Sequence, residues 1–443
     1  MVQANFIRKG PAKMNLIILN GRVVDPSQNI NRKINVEIKN GKVHKYFSGR
    51  PKKNINLDKY EIINAKNMII SPGFIDLHVH LRDPGLVHKE NIKTGSDSAA
   101  SGGFTSIACM PNTLPPNDNP KITKYILKTS EKNSKINIFP IGAITKNQQG
   151  KELAKIKENI KSGCIAISDD GFPVVNSKLL YEAMMISKKL GVPVISHCEE
   201  CSLSKDGVIN EGKYSKKYDL PGIPNSSEEL GVLRDIFIAE YTNAHLHVCH
   251  VSTEGSVEII RRAKKNGINV TCEATPHHFT LCDADIDHKN SNYKMNPPLR
   301  SKADMVAIKN GLKDNTIDII ATDHAPHSYR EKSRSFIKSP FGIIGFETAL
   351  PLSLNLVRNN YLSLFELVDK LSCKPAILSK IKRGSLKKGW IADITIFDPK
   401  KRFKLTKKMI NSKSINSPFL GKTMIGKVFM TIVNGKIIFD NRS

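Results

Sequence analysis

The sequence predicts an α/β protein whose larger part is a (β/α)8 barrel of the TIM type. Two observations predict it: strand-like and helix-like patterns alternate between about residues 74 and 322, and a glycine precedes several of the strands. Eight short apolar runs fit strands, at residues 74–79, 105–110, 137–143, 164–168, 192–196, 245–249, 268–272 and 317–321. Eight consecutive β/α units close into a barrel whose active site lies at the carboxyl ends of its strands.

The helices between these runs have signals of their own. Residues 177–190 place Leu180 and Met184 on one apolar face, which predicts an amphipathic helix. Gly191 then fits the left-handed position that commonly ends a helix. Residues 226–229 read Ser-Ser-Glu-Glu, a capping-box pattern that predicts the start of a further helix.

The two ends of the chain predict a second, smaller domain. Short alternating β patterns occupy residues 14–70 and return in residues 380–443, with Asn-Gly pairs that are typical of hairpin turns. Because each flank is too short to form a core alone, we expect the two to pair into one β-sandwich beside a catalytic barrel of residues 71–379. Residues 1–13 are expected to form a disordered extension.

The composition is strongly basic, with a net charge of +27 and a pI near 9.6. Lysines are spread over the whole length and no recognition motif accompanies them, so the charge does not predict nucleic-acid binding. No apolar run approaches the roughly 20 residues that span a bilayer, and the first residues lack the apolar core of a secretion signal. We therefore predict a cytoplasmic protein with neither a nucleic-acid nor a membrane partner.

The eight cysteines agree with a reducing compartment, because several lie in apolar strand-like runs where a thiol behaves as a small hydrophobe. Cys198 and Cys201 form a C-x-x-C spacing. No second pair completes a zinc knuckle, so redox chemistry at these two thiols is the alternative to an incidental spacing.

Metal-type side chains directly follow five of the predicted strands. They are His78, His80, Asp170, His197, His250 and Asp323. His78 and His80 are two residues apart on one strand, so both imidazoles face the same side and reach one ion. Histidines and carboxylates without paired thiols suit zinc or a similar divalent ion, and six such ligands predict a centre for two metal ions.

Two ions need a bridging ligand. The fourth predicted strand contains no lysine that could be carboxylated to provide one. Its end carries Asp169 and Asp170, and an aspartate can place its two oxygens between two ions. The residues alone leave open which aspartate bridges and which only stabilises the turn before Gly171.

Further polar residues follow the same strand ends. Arg82 lies two residues beyond His80, and a guanidinium is a planar fork suited to a carboxylate, although an ion pair with Asp83 is the structural alternative. Asn112, Asn296 and His327 add amide and imidazole groups, each of which could instead serve a turn. Together they predict a small, anionic, amide-bearing substrate.

In these candidate site residues and their motifs, the chain resembles the amidohydrolase superfamily, and specifically the bacterial class I dihydroorotases. The resemblance covers about residues 15–436. The motifs that carry the resemblance are residues 78–85, 168–171, 197–200, 249–253 and 321–327. The resemblance implies reversible, metal-dependent cyclisation of N-carbamoyl-L-aspartate to L-dihydroorotate in pyrimidine synthesis.

The resemblance also assigns roles. It implies one Zn2+ on His78, His80 and Asp323, a second Zn2+ on His197 and His250, and a bridge made by Asp170 and a water or hydroxide. Asp323 would be the catalytic acid and base. The substrate-binding residues implied are His80, Arg82, Asn112, Asn296 and His327, with backbone contacts from Phe341 and Gly342.

Two alternatives remain from the sequence. Hydantoinases, dihydropyrimidinases and allantoinases use the same barrel, but they typically bridge with a carboxylated lysine and lack the arginine after the histidine pair. A non-catalytic partner of aspartate transcarbamoylase is the second alternative, against which the complete ligand set argues. A homodimer is the expected assembly, and an association with a transcarbamoylase is possible.

Overall fold

The computed structural model describes residues 15–51 and 57–442 and shows a mixed α/β protein. The predicted extension of residues 1–13 lies outside the described residues. Within the described ranges, no helix has the length and apolar character needed to cross a membrane.

Strands dominate both ends of the chain, whereas strands and helices alternate in its middle. The strands are β1 (Asn15–Leu19), β2 (Arg22–Asp25), β3 (Ile30–Lys33), β4 (Asn35–Lys39), β5 (Lys42–Phe47), β6 (Tyr60–Asn64), β7 (Ile69–Pro72), β8 (Phe74–Val79), β9 (Phe104–Cys109), β10 (Asn137–Pro140), β11 (Val194–Ser196), β12 (Ile209–Asn210), β13 (Gly222–Ile223), β14 (Leu246–Val248), β15 (Val270–Ala274), β16 (Ile319–Ile320), β17 (Ile394–Lys404), β18 (Thr423–Val433) and β19 (Lys436–Asp440). The α-helices are α1 (Ile92–Ser101), α2 (Pro120–Asn133), α3 (Ile156–Lys161), α4 (Ser177–Leu190), α5 (Cys201–Ser204), α6 (Lys213–Tyr218), α7 (Asn225–Thr242), α8 (Glu254–Lys265), α9 (Lys302–Lys313), α10 (Tyr329–Lys332), α11 (Phe346–Arg358), α12 (Leu364–Val368) and α13 (Lys374–Leu378).

The parallel strands pair in a circuit that returns to its start. Strands β8, β9 and β10 form one parallel sheet, and β11, β14, β15 and β16 form another. Single parallel bridges join Gly142 to Ile167 and Ile167 to Val194 between the two sheets. On the other side, Val79 pairs with His324 just after β16. The fourth predicted strand, residues 164–168, is thus represented by the bridges at Ile167, and the carboxyl ends of all these segments share one face.

Both faces of this sheet are buried. One hydrophobic cluster takes members from successive strands: Ile75, Leu77, Ala108, Met110, Ile141, Ala166, Ile195, Cys249 and Ile319. A second cluster contains neighbouring positions such as Ile107 and Val194, together with Leu180 of α4 and Ile236 of α7. Because successive residues of a strand face opposite sides, one face of the sheet packs against the helices and the other forms a separate cluster.

Of the two helix predictions, the one for residues 177–190 is confirmed and the capping box at residues 226–229 is not. Helix α4 spans the predicted residues, and Gly191 ends it with a φ of 69°. The capping-box prediction at residues 226–229 was wrong, because α7 begins at Asn225 after Pro224 and has no side-chain cap. Glu228 instead accepts hydrogen bonds from the backbone N–H groups of Ser252 and Thr253. A tertiary contact with the loop after β14 therefore replaces the local cap.

The two ends of the chain meet in a pair of sheets. One has the strand order β5-β4-β1-β6, and the other β19-β18-β17-β7-β2-β3, in which β7 and β17 pair antiparallel. Val36 and Ile63 from the amino-terminal part share a hydrophobic cluster with Ile394 and Ile432 from the carboxyl-terminal part. The division into a sandwich of residues 14–70 and 380–443 and a barrel of residues 71–379 stays a prediction.

Candidate active site

The side chains predicted to share a site come together at the carboxyl ends of the parallel strands. The six proposed ligands are all buried, with exposed fractions of 0% for His78, 5% for His80, 3% for Asp170, 5% for His197, 3% for His250 and 6% for Asp323. Each is delivered by the end of its strand or by the first residues after it. A buried set of histidines and carboxylates requires compensation by pairing or by a metal.

Three of these side chains form one group around Asp323. The Nε2 atom of His80 is 2.9 Å from Asp323 Oδ1, and Nε2 of His78 is 3.6 Å from the same oxygen. These three ligand atoms lie within 4.8 Å of one another. In a tetrahedral zinc site, ligands about 2.0 Å from the ion are roughly 3.3 Å apart, so this spacing fits a shared ion.

A second group consists of His197, His250 and Asp170. His197 Nδ1 and His250 Nε2 are 2.8 Å apart, and Asp170 Oδ1 is 3.8 Å from each nitrogen. The same carboxylate faces the first group, with Oδ1 3.3 Å from His78 Nε2 and Oδ2 3.4 Å from His80 Nε2. Asp170 is therefore positioned between two potential metal positions.

A further observation supports metal binding by these histidine nitrogens and carboxylate oxygens. His78 Nε2 and Asp170 Oδ1 are completely buried and have no hydrogen-bond partner among the described residues. Buried polar atoms almost always have a hydrogen-bond partner. Two such atoms that lack one and lie 3.3 Å apart therefore indicate a position where both could bind a metal ion. Cys249, whose thiol lies within 4.8 Å of His78 and Asp170, was not identified from the sequence as a neighbour of this site.

Three residues of the site have backbone conformations that are rare outside glycine. The φ angles are 59° at Arg82, 29° at His250 and 46° at Asp323. Such conformations cost about 1 to 3 kcal/mol each and persist where surrounding packing enforces them, commonly at functional sites. The strain agrees with side chains that are held for a purpose other than stability.

The two adjacent aspartates have different surroundings. Asp169 Oδ1 accepts hydrogen bonds from the backbone N–H groups of Ile144, at 2.8 Å, and Thr145, at 3.2 Å, and the Thr145 hydroxyl donates to its other oxygen. Burial raises the pKa of Asp169 to about 7. Although Asp170 is also buried, the nearby imidazole of His78 holds its pKa well below the ordinary value. Asp169 thus stabilises a neighbouring loop, whereas Asp170 faces the histidines.

Glu273 on β15 contacts two histidines at the site and was not predicted from the sequence. Its Oε1 is 2.5 Å from His78 Nδ1, and its Oε2 is 3.1 Å from His247 Nε2. A carboxylate on the far nitrogen of an imidazole fixes the ring orientation and leaves the other nitrogen free to bind a metal. A glutamate inside the apolar run of residues 268–274 was the signal that could have found it.

Like Glu273, Asp76 and Glu199 are carboxylates that contact the clustered residues without belonging to the six proposed ligands. Asp76 Oδ1 accepts hydrogen bonds from the backbone N–H groups of His78 and Thr322, which ties β8 to the segment before Asp323. Glu199 Oε2 lies 2.6 Å from His197 Nε2 and accepts a 2.9 Å hydrogen bond from the amide of Asn296. Sequence reasoning placed Glu199 in a motif without assigning it a role.

The predicted substrate-binding groups lie around this cluster. Asn112 Oδ1 is 2.8 Å from His80 Nδ1, and the Asn112 amide donates to the backbone oxygen of Asp170. The Nε–H of Arg82 donates a hydrogen bond to the carbonyl of Pro326. Nη2 of Arg82 is 3.4 Å from Nε2 of His327. Among the described residues no carboxylate forms an ion pair with Arg82, and the structural alternative with Asp83 is not observed.

His327 lies between two cations. Lys89 Nζ is 3.3 Å from its Nδ1, on the side opposite to Arg82. Burial and the charges of Arg82 and Lys89 lower the pKa of His327 well below its ordinary value, so the imidazole is neutral. Burial also lowers the pKa of Arg82, to about 10, which leaves the guanidinium protonated at neutral pH. Lys89 also forms a 2.9 Å ion pair with Glu331, so Arg82 is the cation on this side without a carboxylate partner among the described residues, and it is suited to an anion.

The segment around Phe341 and Gly342 is held by lysines. Lys294 Nζ lies 4.6 Å from the Phe341 ring centre and donates to the carbonyl of Ile337, and Lys332 Nζ donates to the carbonyl of Pro340. The Gly342 N–H donates to the Lys294 carbonyl, so this donor already has a partner. The role of Phe341 and Gly342 in substrate binding stays a prediction.

A cavity of about 580 Å³ opens beside the histidines. Its lining includes Glu199, Asn296, Lys294 and Phe341. Because Glu199 and Asn296 also contact His197, the cavity borders the ligand cluster. A space of this size accommodates a small organic substrate.

Comparisons with known proteins agree with this geometry. A family model described as Dihydro-orotase-like matches residues 67–256. A protein named Dihydroorotase from Trichlorobacter lovleyi is 49% identical over 97% of this chain and 100% of that relative, and one from Geotalea daltonii is 48% identical over 96% and 99%. Among solved structures, L-hydantoinase (dihydropyrimidinase) from Arthrobacter aurescens superposes with a TM-score of 0.85 at 25% identity, covering 96% of each chain. Dihydropyrimidinase from Brevibacillus agri has the same fold, with a TM-score of 0.81 at 24% identity over 97% of this chain and 96% of that one.

The fold, the buried cluster of histidines and aspartates and these relatives define a cyclic amide hydrolase of the amidohydrolase superfamily. The two proteins named Dihydroorotase are nearly half identical to this chain over almost its full length, which narrows the assignment to one family. The chain belongs to the dihydroorotase family.

Proposed function

We propose that this chain interconverts N-carbamoyl-L-aspartate and L-dihydroorotate in the synthesis of pyrimidines. One observation supports this proposal above others: Arg82, buried and unpaired by any carboxylate of the described chain, lies beside the cluster of six potential ligands. A hydrolase of a neutral ring amide has no need of that charge. Dihydroorotate carries, besides the ring amide that breaks, a carboxylate that takes no part in the bond change.

The scaffold we propose is a closed (β/α)8 barrel with a β-sandwich formed by both ends of the chain. The circuit of parallel pairings from β8 through Ile167 to β16 and back to Val79 supports the barrel. The pairing of β7 with β17 supports the sandwich. In such a barrel the catalytic residues lie at the carboxyl strand ends, as the six clustered side chains do.

The residues fit two zinc ions. His78, His80 and Asp323 would hold one, His197 and His250 the other, and Asp170 would bridge them. When bound, such ions polarise a carbonyl oxygen and lower the pKa of water toward neutrality. Glu273 and Glu199 would orient His78 and His197 toward the ions through their far ring nitrogens.

Asp323 is proposed as the proton carrier. Its Oδ1 faces His78 and His80, which leaves Oδ2 to hold a proton. In hydrolysis, water adds to the ring carbonyl, the bond between that carbon and the ring nitrogen breaks, and a carboxylate forms; one proton of the water goes to the nitrogen and the other is released to solvent. Asp323 would accept the proton of the attacking water and return it to the departing nitrogen, and cyclisation would use the same path in reverse.

Arg82 would bind the substrate carboxylate that takes no part in the bond change. The neutral imidazole of His327 and the amides of Asn112 and Asn296, which border the cluster through His80 and Glu199, would contact other parts of the substrate. These contacts would orient the ring amide toward the proposed metal ions. Their contribution is mainly positional.

The second candidate function is a hydantoinase or dihydropyrimidinase activity, which the structural neighbours favour through their shared fold. Arg82 and the absence of a lysine in residues 164–171 count against it. The test is to measure hydrolysis of dihydroorotate, hydantoin, dihydrouracil and allantoin by one zinc-loaded preparation. We expect dihydroorotate to be turned over at least tenfold more efficiently, in kcat/KM, than the other three. A preference for hydantoin or dihydrouracil would assign the second function instead.

The cytoplasmic location, the possible association with aspartate transcarbamoylase and the lack of a nucleic-acid partner stay predictions. Co-purification of the tagged chain with a transcarbamoylase would test the association directly.

A further inference from the structure

The imidazole of His327 has more hydrogen-bond donors around it than it can accept from. Lys89 Nζ lies 3.3 Å from its Nδ1, and Arg82 Nη2 lies 3.4 Å from its Nε2. An ammonium and a guanidinium have hydrogens and no lone pair, so both can only donate. A neutral imidazole has one N–H and one lone pair. One of the two cations therefore faces an N–H and makes no hydrogen bond to the ring.

The backbone at residues 341 and 342 indicates which ring nitrogen carries the proton. Burial and nearby cations lower the pKa of His327, and a hydrogen bond to the Phe341 backbone opposes them, so the atom that accepts this bond is the Phe341 carbonyl. A β-carbon at Gly342 would lie 3.3 Å from Cδ2 of His327, the ring carbon bonded to Nε2. This backbone therefore lies along the Nε2 side of the ring. The N–H is accordingly on Nε2, and Nδ1 offers its lone pair to Lys89.

Lys89 is held against the ring from two directions. Its Nζ forms a 2.9 Å ion pair with Glu331 Oε1, and the two side chains are only 14% and 21% exposed. Its backbone carbonyl accepts a 2.7 Å hydrogen bond from the Ser414 hydroxyl. Glu331 is fixed in turn, because its Oε2 accepts hydrogen bonds from the backbone N–H and the hydroxyl of Ser328. The ammonium is therefore a positioned donor whose charge is already paired.

The position of the proton on His327 decides what Arg82 can bind. With the proton on Nε2, the Nη2–H of Arg82 faces another donor and has no acceptor in the ring. With the proton on Nδ1, Nε2 would accept a hydrogen bond from Arg82 and occupy that donor. A charge-assisted hydrogen bond is roughly twice as strong as a neutral one, so Arg82 alone would outweigh the Phe341 carbonyl. Lys89 offsets this preference, because it is a second cation that needs the lone pair on Nδ1.

We propose that Lys89 is a positioning residue for substrate recognition: it binds Nδ1 of His327, keeps the ring proton on Nε2 and so leaves the Nη2 donor of Arg82 available to the substrate carboxylate. Lys89 acts through His327, and Glu331 supports it by holding the ammonium at the ring. The inference rests on the proposed function, because that function supplies the carboxylate.

The tautomer of His327 can be measured by NMR without reference to turnover. The zinc-loaded chain is labelled with ¹⁵N-histidine, and the ring signals of His327 are identified by their loss in His327→Asn. We expect the wild type to carry the ring proton on Nε2. Lys89→Met should move the proton to Nδ1, whereas Lys89→Arg, which keeps a cationic donor, should match the wild type. Lys146→Met removes an exposed lysine that is paired with Glu152 and is the matched control, with no expected change in the ring.

Kinetics test the consequence for the substrate. Lys89→Met should raise KM for dihydroorotate at least about fivefold, because a donor of Arg82 is then occupied by the ring. The value of kcat should change less than about twofold, since the proposed metal ions and the proton carrier Asp323 are unaltered. Lys89→Arg should recover most of the wild-type KM, and zinc content should be the same in all variants. A merely structural role would instead lower zinc content or kcat and would not separate Lys89→Arg from Lys89→Met.

The two measurements separate this inference from the proposed function. A wild-type ring with its proton on Nδ1 would overturn the inference without any variant, and so would a Lys89→Met ring that keeps the proton on Nε2. An unchanged KM in Lys89→Met despite a moved proton would overturn the link to the substrate carboxylate. A wild type that prefers hydantoin or dihydrouracil would instead refute the proposed function, and the NMR result would still decide the contact between Lys89 and His327.

Discussion

The ligand cluster and the substrate side of this site are built differently. His78, Asp170 and the other clustered side chains lie at the carboxyl ends of buried parallel segments. Glu273 on β15 contacts His78, and Asp76 ties β8 to the segment before Asp323. Arg82, His327 and Phe341 lie on loops that are joined to one another by lysine and carbonyl contacts.

The difference separates chemistry from specificity. Strand ends fix the positions of side chains closely, whereas loops can change without altering the sheet beneath them. The hydantoinase-type neighbours share the fold at 25% identity or less, so the fold persists although most residues differ. Variants on the two sides should therefore fail in different ways.

Asp323→Asn tests the ligand side at its most reactive point. An amide still offers an oxygen to zinc but cannot accept a proton from water, so we expect kcat to fall by about 10² to 10⁴ while much of the metal remains. Hydrolysis of dihydroorotate and cyclisation of carbamoyl-aspartate should fall alike, since both use the same proton path. Bound zinc and both rates are measured on one preparation. Near-normal turnover by the zinc-replete variant would make Asp323 a ligand only, with His327 the next candidate for the proton.

Glu273→Gln tests whether the carboxylate that contacts the proposed ligand His78 contributes to metal affinity. Loss of the carboxylate that holds His78 Nδ1 should weaken zinc affinity by about 10- to 100-fold, because such partners set ring orientation and basicity. Competition with a chelator measures the affinity, and Glu258→Gln on the exposed side of α8 is the control. Unchanged zinc retention in Glu273→Gln would remove this glutamate from the metal centre.

Arg82→Met tests the substrate side. A charge-assisted hydrogen bond contributes roughly 1.5 to 3 kcal/mol, so kcat/KM for dihydroorotate should fall at least about tenfold. Zinc content should not change, since Arg82 is not a proposed ligand. Arg262→Met, on the exposed face of α8, is the matched control. Loss of zinc from Arg82→Met would show that the two sides of the site are not separable.

The clustering of the strand-end histidines and aspartates could be predicted because the rules that place them are local. His78 and His80 share a face by strand geometry, and strand order then brings Asp170, His197 and Asp323 to the same end of the sheet. The same reasoning located most parallel strands to within two or three residues. The fourth strand is shorter than predicted and has only the bridges at Ile167.

The loop contacts could not be predicted in this way. Lys294 and Lys332 donate to carbonyls of Ile337 and Pro340, partners that depend on how two loops fold against each other. The failed capping box at α7 has the same cause, because Glu228 bonds to a distant backbone and not to its own helix. Tertiary contacts override local propensity where polar side chains are buried.

The most direct test of the account is the number of zinc ions bound per chain in the wild type, Asp169→Ala and Asp170→Ala. Asp170 faces both groups of histidines, whereas Asp169 bonds to Ile144 and Thr145. The account predicts two ions in the wild type, nearly two with a milder loss of turnover in Asp169→Ala, and loss of both metal and activity in Asp170→Ala. Equal zinc loss in the two variants, or loss only in Asp169→Ala, would contradict it.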